Sequence, residues 1–318
     1  MKQARYLYPH DYMSTPSAHV FGSRLYIYPA HDLDTGESFM NHEGEHFQMR
    51  DFHVLTLDDV ENGEATDCGL ALDLNDIPWA RGQMWDNDVV EHGGHYYMVF
   101  CAKDMNGRFR LGMAVADRPE GPFKAQPSPI YGSYSNDPCL FKDDDGQVYC
   151  YFGGLWGGQL QRYAENMTLG EEYLPEGEAQ ALPSRVARMD DSLLQFAEAP
   201  EAVYIINEHG EPMKANDPHR FFEASWMHKY QGRYYFSYST GDSHLLCYAV
   251  GDNPYGPFMF RDVLLQPVVG WTTHACICEY RGRWYLFHHD SAPSGGKTWL
   301  RSLKVMEISY DANGDIVV

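Results

Sequence analysis

Carboxylates, a histidine and a threonine recur at a matched place ahead of five aromatic strands. The phrases are Ser14-Thr15-Pro16-Ser17, Asp86-Asn87-Asp88, Asn136-Asp137-Pro138, Phe222-Glu223-Ala224-Ser225 and Thr273-His274-Ala275. Counted forward to Tyr26, Tyr97, Tyr149, Tyr235 and Tyr285, the offsets are 11 from Thr15, 9 from Asp88, 12 from Asp137, 12 from Glu223 and 11 from His274. Two acids on opposite walls of an aromatic pocket can break a glycosidic bond. The protonated one gives its proton to the leaving oxygen, and the ionised one activates water. Glu223 is the expected general acid, because Phe221, Phe222 and Trp226 flank it and apolar surroundings raise a carboxyl pKa. Asp137 is the expected charge that tunes it. Each acid alone is as readily a turn or cap residue. Their repetition at one position points to chemistry, since crowding them costs desolvation and repulsion that stability does not require.

What must position these residues is a cassette of two strands around a Gly-bearing turn. Its copies are Val20 to Tyr28, Val90 to Phe100, Leu140 to Phe152, Met227 to Tyr238 and Cys278 to Phe287. Aromatic and β-branched residues flanking such a turn predict hairpins. The reference tyrosines step by 71, 52, 86 and 50 residues. Fifty residues suit one four-stranded blade, and longer steps suit blades with inserted loops. The fold class expected is all-β, a five-bladed β-propeller over residues 1–318 as one domain; a sandwich with similar hairpins is the alternative. In a radial repeat, equivalent positions form a ring, so the polar phrases converge at one end of a central channel.

Between cassettes, Asp32 to Phe47 reads as a polar surface loop, and strands are expected over Asp51–Leu57, Leu70–Leu74 and Phe109–Ala116. A Pro-x-Gly-Pro-Phe turn closes two apolar strands, at Pro119–Phe123 and Pro254–Phe258, and supports the repeat independently. Ser192–Ala199 is expected to form a short helix and Ala202–Ile206 a strand.

The chain has 318 residues, with 24 basic against 45 acidic side chains and a formal charge of −21. That balance disfavours nucleic acid and anionic membranes and suits neutral ligands. Tyr 23, Phe 16 and Trp 7 are heavy aromatic usage, fit for a sheet core and a sugar-binding surface. The opening MKQARYLYPHDYM lacks an apolar export segment, and no run is long enough to span a bilayer. Seven cysteines, odd in number and mostly in strand patterns, read as reduced buried thiols of a cytoplasmic protein. Cys276-Ile277-Cys278 lacks a partner pair for zinc.

At these phrases the chain resembles glycoside hydrolase family 43, the five-bladed inverting β-xylosidases and α-L-arabinofuranosidases. The resemblance covers nearly the whole length and rests on Pro16-Ser17-Ala18-His19-Val20-Phe21, Ser133 to Pro138, Tyr151-Phe152-Gly153-Gly154, Phe222 to His228 and Val268 to His274. It implies Glu223 as general acid and Asp137 as the residue that modulates its pKa. It also implies Trp85 as the aromatic packing on the sugar, Arg301 as a basic residue reaching substrate hydroxyls, and His274 as the axial histidine associated with calcium. Asp32 and Asp88 join Trp85 and Arg301 as expected substrate contacts. Core, surface-strand and channel-filling roles stay open for Trp85, Arg301 and His274. No organic cofactor is implied.

The chain departs from the family's pattern at three places. The family's general base is an Asp immediately before Pro-Ser, and here that residue is Thr15, whose hydroxyl cannot take a proton from water. Blade two shows Trp85-Asp86-Asn87-Asp88 where Trp-Ala-Pro-Asp is usual, and Ala275 stands where a second His often follows. The expectation is an exo-acting inverting β-xylosidase or α-L-arabinofuranosidase on hemicellulose-derived oligosaccharides or aryl glycosides. Its base is either lost or moved, to Asp86 first and Asp32 second. A non-catalytic carbohydrate-binding propeller, or a relative acting on fructosides or galactans, is the alternative. A homo-oligomer is left open.

Overall fold

The computed structural model describes residues 3–34, 36 and 41–318, almost all of it strands, turns and connecting loops. Five separate sheets follow one another along the chain, so the sandwich alternative is excluded. Blade one runs from Met13–Ser14 to Thr66–Asp73, blade two from Ala80–Gly82 to Lys124–Ala125, and blade three from Cys139–Lys142 to Glu201–Val203. Blade four runs from Ile205–Ile206 to Phe258–Leu265, and blade five from Cys276–Tyr280 to Ile316–Val317. The innermost strands are Ala18–Phe21, Asn87–His92, Cys139–Lys142, Phe221–Tyr230 and Cys276–Tyr280. Each touches the next, and the last touches the first, which closes the ring. The N-terminal strand Arg5–Tyr6 pairs with Ser302–Tyr310 and so ties the start of the chain into the last blade.

All five cassettes are antiparallel hairpins. In blades four and five both central turn residues have positive φ, Gln231 at 48° and Gly232 at 77°, Arg281 at 53° and Gly282 at 76°. That is the turn whose twist matches the strands it joins. Between blades, aromatic rings fill the gaps: Phe52 of blade one meets Phe100 of blade two, and Tyr151 of blade three meets Phe236 of blade four. The two closing phrases do matching work, because the Phe123 amide donates to Ala71 O and the Phe258 amide to Tyr204 O. Both phenylalanines are buried.

Some expectations need correction. Ser192–Ala199 is a run of turns rather than a helix, because the Asp190 carboxylate accepts from Ser192 N, Ser192 Oγ and Leu194 N and fixes a local turn. The strand expected over Ala202–Ile206 is two strands, Glu201–Val203 in blade three and Ile205–Ile206 in blade four, so the chain changes sheets at Tyr204. The strand expected from Leu70 begins earlier and spans Thr66–Asp73. Part of the Asp32–Phe47 loop, residues 35 and 37–40, lies outside the described residues. The seven cysteines are unpaired and five are buried, but Cys68 is exposed and Cys278 half-buried. Among the described residues, no helix is long and apolar enough to cross a membrane.

Candidate active site

The hairpin ladders identify the ring residues. Tyr26, Tyr97, Tyr149, Tyr235 and Tyr285 pair across their hairpins with His19, Val90, Phe141, His228 and Cys278. Four residues before those partners stand Thr15, Asp86, Asp137, Ala224 and His274. In blade four the inner strand is irregular between Phe221 and Trp226, and Ala224 has a φ of 64°, a bulge that turns Glu223 into the channel in place of its neighbour. In blade two the ring residue is therefore Asp86, not Asp88.

Asp88 lies one layer deeper. Its carboxylate accepts from Ser17 Oγ, meets His19 Nε2 at 2.6 Å, and accepts from Leu140 N at 2.6 Å. It bonds across three blades and lines no part of the cup above, so the expected substrate contact is a structural tie. Asp32 is corrected likewise. It is buried, accepts from Ser14 Oγ at 2.9 Å, and holds Arg301 through Nε at 2.8 Å and Nη2 at 2.7 Å. That engagement removes it as a second candidate base. Arg301 reaches the cup in its place, over the Phe47 ring at 4.9 Å. Burial works against the Arg301 charge, but Asp32 outweighs it and the guanidinium pKa is raised.

The cup has two levels. An outer cavity of about 820 Å³ is lined by His42, His46, Trp85, Trp156, Phe222 and Trp271 among others. Beneath it a recess of about 40 Å³ is lined by Thr15, Asp86, Asp137, His274, His289 and Arg301. Phe47, Trp85, Glu223 and Thr272 border both, so Glu223 stands at the junction. Trp156 and Trp271 stack at 5.6 Å and 15°, and Phe222 sets its edge against both. Such broad faces suit the C–H surface of a sugar ring. Trp85 forms the opposing wall, its indole N–H donating to Phe47 O at 3.3 Å. Gly44 and Gly157 are required beside it, because a Cβ at either would come within 3 Å of the indole.

In the recess the acids are tightly coupled. Asp137 Oδ2 accepts from Ala224 N at 2.7 Å, and its Oδ1 accepts from Asn136 Nδ2 at 2.6 Å. The first bond anchors the bulge that presents Glu223. Burial, the Asp86 charge, a hydrogen bond with Asp86 and the Glu223 charge push the Asp137 pKa well above the usual carboxylate range. His274 Nδ1 lies 3.5 Å from Asp86 Oδ1, and burial lowers the His274 pKa. Thr15 takes a φ of 46°, its amide donates to His289 Nδ1 at 3.0 Å, and among the described residues its hydroxyl reaches only Trp85 O at 3.4 Å. Burial and Arg301 hold His289 neutral, as that acceptor role requires.

Two neighbours expected to surround Glu223 are elsewhere. Phe221 packs on Phe236 and Tyr238, and Trp226 meets His19 and bonds Ile277 O. Phe222 alone of the three lines the cup. The residue missed by sequence is His244, fully buried, whose Nε2 lies 3.0 Å from Glu223 Oε1. Its ring packs at 3.6 Å on Trp271 and 4.7 Å on Phe222, and its Nδ1 has no hydrogen-bond partner among the described residues. It lies on a turn outside the ring register, at a φ of 48°, and no spacing in the sequence marks it.

The family model of glycosyl hydrolases family 43 matches residues 66–316. A β-xylosidase of Xylanibacter ruminicola is 62% identical over 315 residues, covering 99% of this chain and 98% of the relative. The solved structure of the RS223 β-xylosidase is 58% identical with a TM-score of 0.97, over 100% of this chain and 98% of the other. That of CoXyl43, a β-xylosidase/α-arabinofuranosidase from a compost microbial metagenome in complex with xylotriose, is 50% identical with a TM-score of 0.94, over 100% and 98%. The five closed blades, the acids of the recess and these likenesses have one meaning: the chain belongs to glycosyl hydrolase family 43.

Proposed function

We propose that the chain is an exo-acting, inverting glycosidase that removes xylose or arabinofuranose from the ends of short hemicellulose-derived oligosaccharides. The observation that carries this is the meeting of Asp86, Asp137 and Glu223 at the recess beneath an aromatic-walled cup. A terminal sugar fits such a cup; the middle of a polymer does not. Relatives named for both sugars, and a xylotriose complex of one of them, support the substrate class.

In this reading the terminal sugar lies between Trp85 and the Trp156–Trp271 wall, and Arg301, fixed by Asp32, binds its hydroxyls. Glu223 protonates the leaving oxygen, and His244 holds its Oε1 so that the other oxygen faces the bond that breaks. Asp137 anchors Glu223 through Ala224 N. With Thr15 unable to accept a proton, Asp86 is the carboxylate beside it that can take the proton of the attacking water. Asp137, whose pKa burial and its neighbours raise, is assigned the role of anchor rather than base, and Asp86 takes the base role. The charge and spacing of Asp86, Asp137 and His274 also fit a divalent cation, with ligand atoms within 4.8 Å of one another. They would hold calcium in a state where Asp137 has given up its proton and Asp86 does not serve as the base, with water supplying the remaining oxygens the ion requires. The unpaired thiols accord with a cytoplasmic enzyme working on imported fragments.

Kinetics on aryl β-xyloside and aryl α-L-arabinofuranoside test the reading. Wild type is expected to turn over, Asp86→Asn to lose turnover with affinity kept, and Thr15→Asp to raise it. Full activity in Asp86→Asn removes Asp86 from the role. Absence of turnover in wild type and in Thr15→Asp, with xylo-oligosaccharide binding intact by calorimetry, favours a sugar-binding propeller instead.

A further inference from the structure

A second cluster of metal-binding side chains lies on blade one, and none of its residues lines the cup. Asp51 and His53 are two residues apart on the strand Met49–Leu57 and so share a face. His31 reaches that face from the neighbouring strand Ala30–Asp32. His31 Nδ1 is 2.8 Å from Asp51 Oδ1, and His53 Nε2 is 3.7 Å from the same oxygen. The three ligand atoms all lie within 4.8 Å of one another. Around a tetrahedral zinc with bonds of about 2.0–2.1 Å, ligand atoms sit about 3.4 Å apart. Small side-chain adjustments therefore convert this arrangement into a coordination shell.

The outward nitrogen of each ring is also engaged. His53 Nδ1 lies 2.9 Å from Asp67 Oδ2, and His31 Nε2 lies 3.3 Å from Asp11 Oδ2. An imidazole whose far N–H is held by a carboxylate presents a basic lone pair on the near nitrogen, the arrangement that orients histidines at metal centres. Both near nitrogens face Asp51; that of His31 bonds it through its proton, which an incoming cation would displace to take up the lone pair. Among the described residues, Asp11, Asp51 and Asp67 are ion-paired only to these histidines and to no lysine or arginine. Three carboxylates around two imidazoles leave an uncompensated negative site. Side-chain exposures of 17% for His31, 18% for Asp51 and 20% for His53 leave an ion and a water room to enter.

We propose that His31, Asp51 and His53 form a divalent metal site of the zinc class, with water as fourth ligand and Asp11 and Asp67 orienting the imidazoles. Its two nitrogens and one oxygen suit zinc, whereas the oxygen-rich recess suits calcium. The ion would join the segment around Asp11 to the strands bearing His31 and His53. The first of those strands ends in Asp32, the residue that holds Arg301.

Untagged protein, stripped with chelator and dialysed against zinc, tests this by metal content and melting temperature. Wild type and His274→Gln are expected to retain one zinc per chain and melt higher than their stripped forms. His53→Gln and Asp51→Asn are expected to lose both effects while matching the circular dichroism of stripped wild type. Cobalt in place of zinc on wild type should give ligand-field bands of tetrahedral intensity, a readout independent of how the variants fold. Zinc lost with His274→Gln but kept by His53→Gln would place the ion in the recess and overturn the proposal. So would wild type that retains no zinc, or cobalt bands of octahedral weakness. None of these readouts uses hydrolysis, so the proposed activity stands or falls separately.

Discussion

Thr15 holds a left-handed backbone conformation that a β-branched side chain disfavours, at a cost of roughly 1–3 kcal/mol. Aspartate tolerates that region better, and Asp137 occupies it at the equivalent ring position with a φ of 52°. The backbone of the recess thus suits an acid where this chain has a hydroxyl. Thr15→Asp should raise turnover on aryl β-xyloside, by less than the roughly 10²–10⁴-fold of a whole general base, because Asp86 already serves in the wild type. Glu223→Gln should lower turnover by that full factor with KM little changed. His244→Phe should lower kcat more than it raises KM, and His244→Gln, which keeps a donor, should recover part of the loss; equal effects of both variants on melting alone would mark His244 as structural. Asp137 has a raised pKa, so between the ordinary carboxylate value and the raised one the folded chain holds a proton that the unfolded chain has released. Its contribution to stability therefore falls as pH rises above the ordinary carboxylate range. Asp137→Asn should melt at or above wild type at pH 8 and be less active.

At the level of elements, the hairpins were legible because turn glycines and flanking aromatics carry a local signal that tertiary contacts reinforce. The ring was legible to within two residues. Counting from the tyrosines gave 11 at Thr15 and His274 but 9 at Asp88, while Asp86 stands 11 before Tyr97; the constant spacing was the available clue. Asp137 is one further because its hairpin turn, Asp143 to Gly146, is longer, and Glu223 is one further because of the bulge. Asp32 gave no sign of its bond to Arg301, since 269 residues separate them and only ring closure brings the first and last blades together. That closure has its own clasp. Tyr6 Oη donates to Asp290 Oδ1 at 2.9 Å, and Lys304 Nζ bonds Oδ2 at 2.9 Å. Burial opposes the Asp290 charge, but Lys304, the Ala292 amide and Tyr6 together hold its pKa below the usual value. The stability it contributes is present above the unfolded carboxylate pKa and is lost as pH falls through the lower folded value. Asp290→Asn should destabilise by about 2 kcal/mol at pH 7, and the gap in melting temperature should close in acid.

Over the whole molecule, a charge of −21 governs which sugars approach readily. Neutral xylo-oligosaccharides feel little of that field, whereas fragments bearing uronic acids are repelled at distances within the screening length, about 10 Å at 0.1 M salt. The ratio of kcat/KM for neutral over acidic fragments should therefore narrow as salt is added; a ratio flat across ionic strength would mean that charge plays no part in selection. The floor of the cup has a further effect. In the proposed reading Asp88, which ties blades one and three together one layer below the recess, closes the cup from beneath, so entry and departure share one doorway. After cleavage the detached chain occupies that doorway and has to diffuse off first, while the single freed sugar waits behind it. Turnover should then slow as that monosaccharide accumulates, because a molecule waiting outside and one still inside compete for the same berth.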